Sequence, residues 1–112
     1  MANKLYQPLL IESVKATANI EQHRFIGFNG AYCGAGEKAF GVSDVAIDKD
    51  QYAPVAVLGT LLVVSAGTIN AGDPVASDEN GKAVKATGDA LINGYAQDSV
   101  TEGQEIRVLR GI

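Results

Sequence analysis

The sequence predicts an all-β protein: a small compressed barrel or sandwich of about seven to nine short strands, with an extended N-terminal arm and little helix. Three observations predict it. The longest apolar run, "VAVLGTLLVV" from Val55 to Val64, is rich in β-branched residues and follows Pro54, a strand signature. Short apolar segments recur along the rest of the chain between glycine-containing or acidic turns, the rhythm of all-β folds. No segment holds apolar residues at helical spacing for three turns, and the best candidate, "SDVAIDKDQ", lasts one or two.

Residues 1 to 8 read as an arm, because Pro8 fixes φ and lacks a donor just ahead of the first strand-like run. Residues 9 to 112 read as one β domain, with no linker or internal repeat. Its strands are expected in "LLIESVKATA", "HRFIGF", "KAFGVSDVAI", the Val55–Val64 run, "PVAS", "KAVKA", "ALINGYAQ" and "QEIRVLR". In the last of these, Ile106 and Val108 alternate with Glu105 and Arg107, the pattern of a sheet with one wet face. The Val55–Val64 run differs, because Val55, Val57, Leu61 and Val63 alternate with residues that are also apolar, Leu58 and Leu62 among them. Such a strand is expected to be covered on both faces, by its own core and by a neighbouring copy, with a short break at Gly59-Thr60.

The stretch "SAGTINAGDPVASDENGKAV", Ser65 to Val84, mixes glycines and carboxylates as phosphate loops, calcium loops and β-turns all do. As an EF-hand loop it would put Ala76 and Thr87 at the first and twelfth ligand positions, where oxygen donors are required. Asp73-Pro74 instead reads as the turn into a strand, and Asn80-Gly81 as a type I′ hairpin turn. Gly34, Gly36 and Ala39 satisfy a dinucleotide-loop pattern, but Gly41-Val42 ends any following helix within a turn. A P-loop fails because Glu37 follows Gly36 and neither Ser nor Thr follows Lys38.

Catalytic sets are thin. His23 is the single histidine and reads as a surface residue, and Cys33 is the single cysteine and reads as a small buried side chain. No enzyme, cofactor or metal is expected from these residues. With a net charge of −4, a pI near 4.8 and nine scattered basic residues, the chain lacks the basic footprint of a nucleic-acid binder. The longest apolar run is far short of the ~20 residues of a membrane span. The N-terminus does not read as a secretory signal, which points to a product made and kept in a cytosol.

The order of the segments carries more than any one of them. An N-terminal arm and strand, "RFIGFNG" at Arg24–Gly30, "EKAFGV" at Glu37–Val42, the Val55–Val63 strand, then "AGDPVASDENGKAV", "INGYA" and "IRVLR" follow one another over nearly the whole chain. In this form the sequence resembles the capsid cement proteins encoded beside the major capsid protein in many tailed bacteriophages. The resemblance implies a structural virion protein on the outer surface of the expanded capsid, bound to the major capsid protein and stabilising capsomer junctions against DNA pressure. It implies a homo-oligomer, with a trimer favoured, and no catalysis. Leu5, Tyr6, Gln7, Pro8, Leu9 and Leu10 are the expected capsid contacts, and Val55, Val57, Leu58, Leu61, Leu62 and Val63 the expected core and oligomer strand. The competing expectation is a small intracellular β-barrel that binds a ligand or carries a group.

Overall fold

A computed structural model describes residues 7 to 111. They form no helix and eight strands: β1 (Gln7–Lys15), β2 (Phe25–Ile26), β3 (Gly41–Ser43), β4 (Tyr52–Val64), β5 (Pro74–Ser77), β6 (Ala83–Lys85), β7 (Gly94–Ala96) and β8 (Glu105–Arg110). All strand pairings are antiparallel, in the order β2-β3-β4-β8-β7-β5-β6, with β1 on the other edge of β4. The sheet nearly closes into a barrel, because Ser65 at the end of β4 bridges Ala83 of β6 and Ala66 N donates to Ala83 O (2.8 Å).

β4 organises the molecule. Along one edge it pairs with β3 at Val55–Ala56 and then with β8 at Gly59–Val64, so β3 and β8 part from it near Val57-Leu58. Phe25, Leu61, Val63, Ile69, Ile106 and Val108 fill the barrel interior. A smaller cluster of Ala16, Ile20, Ile26, Ile47 and Ala53 lies on the far side of β2, capped by Tyr32. At ~1.5–3 kcal/mol of hydrophobic free energy per fully buried large side chain, these clusters supply the main driving force of folding.

Several expectations are corrected. β4 is one strand of 13 residues with no break at Gly59-Thr60; Gly59 absorbs the bend at φ +110°. Coverage of both faces holds at Val55 and Ala56, consecutive buried residues, whereas Leu58 is exposed and Leu62 half-buried. The Asn80-Gly81 turn is not type I′, since among the described non-glycine residues positive φ belongs to His23 and Asp50. The Asp78 carboxylate instead accepts the amides of Asn80 and Lys82 (both 2.8 Å), widening the loop, and Gly81 alone turns left-handed at φ +73°. His23 is not a free surface residue: its ring is 13% exposed and its Nδ1 lies 2.6 Å from Glu105 Oε2. Gln7 and Pro8, expected in the arm, belong to β1 and pair with Thr60 and Gly59, and the rest of the expected arm, residues 1 to 6, lies outside the described residues.

A Cβ at Gly59 would lie 2.5 Å from Gln7 O and 2.7 Å from Leu9 N. Gly59→Ala is therefore expected to cost about 2 kcal/mol through left-handed strain and crowding, and to lower the melting temperature by roughly 10 °C. Because the crowded atoms are in β1, amide exchange should accelerate in β1 before β8; an unchanged melting temperature would contradict this.

Candidate functional site

β1 stands out as a strand with little around it. Seven of its nine residues are exposed, and its packing is almost entirely against β4. Three large apolar residues follow one another there, Leu9 at 83% exposure, Leu10 and Ile11, and Leu10 lies opposite the exposed Leu58 of β4.

The local sequence explains why one backbone edge stays open. Ala16 N donates to Gln51 O (2.9 Å) and Ala16 O accepts from Asp50 N (2.8 Å), so Ala16 faces β4. By strand alternation Val14 and Glu12 face β4 as well, and Ile11, Ser13 and Lys15 face away. Pro54 agrees with this phase: it lies opposite Ser13, has no N–H, and its carbonyl accepts from Asp44 N on the other side of β4 (3.4 Å). Beyond Lys15 the edge closes, because Thr17 N donates to Gly30 O (3.0 Å) and Gly30 abuts Lys15 O. At the other end Leu9 is an extra residue between Pro8 and Leu10, a bulge that interrupts pairing. The open edge is thus the main-chain groups of Ile11 and Ser13, bounded on both sides.

The expected site residues are spread accordingly. Gln7, Pro8, Leu9 and Leu10 are in β1, and Leu5 and Tyr6 lie outside the described residues. Val55, Leu61 and Val63 are wholly buried in this chain's own interior, Val57 and Leu62 are half-buried, and Leu58 alone of that set belongs to the exposed β1–β4 surface. Ile11 and Ser13 were not singled out from the sequence; the alternation of "LLIESVK" with its glutamate and serine was the available signal.

Other polar features are structural. Arg24 is buried, its Nη1 donating to Asn80 O (3.0 Å) and its guanidinium 5.5 Å from the Tyr32 ring centroid, which ties the β5–β6 loop to β2. Burial pushes the Cys33 thiol pKa up, away from thiolate chemistry. No group of three or more metal-ligating side chains is gathered among the described residues.

No curated protein matches the chain. Among solved structures, the crystal structure of the head fiber gp8.5 N base in bacteriophage phi29 superposes with a TM-score of 0.75 at 20% identity, over 91% of this chain and 93% of that one. At that identity the likeness is one of fold. A family model described as phage cement protein matches residues 8–112, the family that the order of the segments had indicated, and the chain therefore belongs to the phage cement proteins.

Proposed function

We propose that this phage structural protein binds the exterior of the expanded capsid through β1 and stabilises capsomer junctions against internal pressure. The observation that carries the reading is β1 itself, open along one edge and exposed at seven of nine residues. Long apolar edge strands left uncovered invite association, and a strand from the major capsid protein added at Ile11 and Ser13 would gain main-chain hydrogen bonds, with Leu9 and Leu10 as side-chain anchors. As a homotrimer on a three-fold position, the protein would present three such strands, and avidity would raise binding by ~10²–10⁴ over a single strand.

A barrel interior filled by Phe25, Leu61, Ile69 and Ile106 suits a rigid clamp better than a ligand carrier. The chain should co-sediment with expanded empty capsids of its own phage and leave unexpanded shells unbound. Binding to neither would overturn the proposal.

A further inference from the structure

The open edge of β1 is nearly complementary to itself, and one residue spoils the match. Its free main-chain groups belong to Ile11 and Ser13, bounded by the Leu9 bulge at one end and by Gly30 against Lys15 O at the other. A second copy of β1 can approach this edge as an antiparallel strand, each open residue exchanging main-chain bonds with one opposite it. A single register uses both open residues of each copy, with Ile11 of each opposite Ser13 of the other. Centring the pair on Ile11 instead sets Ser13 against Leu9 of the bulge. Centring it on Ser13 sets Ile11 against Lys15, where the edge is closed.

Everything in that register fits except its centre. Leu10, 40% exposed, meets the half-buried Val14 of the other copy on either side of the two-fold axis, which makes apolar cross-strand pairs on one face. Between them, on the same face by strand alternation, Glu12 meets Glu12 of the other copy with Cβ atoms ~4.5–5.5 Å apart. Glu12 is exposed, and among the described residues no ion pair engages it. The lysine of its own strand, Lys15, lies on the opposite face, and its neighbour across β4 is the apolar Val55. Nothing on this ribbon offsets a second carboxylate brought against the first.

We propose that Glu12 determines which strands the open edge accepts: it bars a second copy of β1, and with it any strand that is acidic at the facing position, and leaves the edge to a strand that is neutral or basic there. The inference rests on the open edge that is read above as receiving a shell strand, and it adds what that edge refuses. An exposed apolar edge strand pairs readily with its own kind, and a charge set in its middle is a means of preventing this. Specificity here comes from repulsion of the wrong partner, because the main-chain bonds alone do not distinguish one strand from another.

The test uses the free chain and no capsid, so its outcome is separate from that of shell binding. Glu12→Gln keeps the shape of an exposed side chain and should keep the wild-type melting temperature. In analytical ultracentrifugation it should nevertheless self-associate roughly tenfold more tightly than the wild type, the effect of removing a like-charge pair about 5 Å apart. Adding Ser13→Pro to Glu12→Gln should return the wild-type behaviour, because the edge then lacks a donor. Glu12→Lys alone should sediment as the wild type does, since like charges again face each other. An equimolar mixture of Glu12→Lys with the wild type should be heavier than either, because each glutamate then faces a lysine. Glu12→Gln at the wild-type mass over the whole concentration range, association that survives Ser13→Pro, or a mixture no heavier than its components would each overturn the proposal.

Discussion

Ser13→Pro is expected to weaken binding to expanded capsids about 100-fold while leaving the domain folded. The Ser13 N–H faces away from β4, as the bonding of Ala16 and the missing donor of Pro54 both require. Proline there removes no β1–β4 bond, and a strand residue before it keeps its preferred extended conformation. Its cost to stability should stay near 1 kcal/mol, mainly from drawing φ toward −65° in an edge strand. To an incoming strand the change is severe, since one donor is lost and the ring occupies the path of the neighbouring carbonyl. Two bonds lost at about 1–1.5 kcal/mol each correspond to roughly 30- to 150-fold. Ser13→Ala keeps the N–H and should bind as wild type, which separates the backbone from the hydroxyl. If Ser13→Pro co-sediments at wild-type affinity, β1 does not add a strand from the shell.

That edge illustrates what the sequence can and cannot reveal. Strands β4 and β8 were legible because each carries its own signal, β-branched density in Val55–Val64 and alternation in Glu105–Arg110. The open edge was not, because which of Ile11 or Glu12 faces a neighbour depends on register with β4, and two register shifts, at Pro8/Leu10 and Leu10/Ile11, intervene. The same limit explains the turn at Asn80-Gly81. Its dipeptide favours type I′, but the Asp78 carboxylate and Arg24, far away in the chain, together stabilise a wider loop.

His23 and Gly41 show long-range contact deciding what local preference cannot. His23 holds φ +63° with its ring against Glu105, 82 residues on, a conformation that costs of order 1 kcal/mol and persists through the fixed surroundings. Gly41 reads as a helix breaker in a glycine-rich segment, yet its role is spatial: a Cβ there would sit 2.5 Å from Ala56 O of β4. The glycines of "GAYCGAGEKAFG" thus serve close approach of β3 to β4 and the turn at Gly34–Glu37, where Glu37 N donates to Gly34 O (3.1 Å). The docking of the Gly36–Ala39 loop on the Leu91–Asn93 loop was the least legible contact of all, since Leu91 N donates to Gly36 O, Lys38 Nζ to Ile92 O and Asn93 Nδ2 to Glu37 O, between segments more than 50 residues apart.

Asn93→Leu should produce the largest loss of stability among single polar replacements, about 3–4 kcal/mol. Asn93 is 1% exposed, and its carboxamide serves two main-chain groups of another loop, accepting from Ala39 N and donating to Glu37 O. Leucine keeps the branching at Cγ but is bulkier, and it leaves the buried Ala39 N–H without an acceptor, an unpaired donor that costs ~1–3 kcal/mol. Glu37 O keeps a weak contact from Cys33 Sγ at 3.3 Å, so its loss is smaller. Forcing a branched apolar side chain among polar loop atoms adds about another 1 kcal/mol. For a domain of this size the melting temperature should fall by roughly 15–20 °C. The damage should be local before it is global. Native-state amide exchange should rise first at Ala39 and at Leu91, whose N–H is held by Gly36 O, while Val63, paired with Ile106 inside the barrel, stays protected. A loss below 1 kcal/mol, or uniform acceleration across both sites, would show that Asn93 does not lock these two loops together.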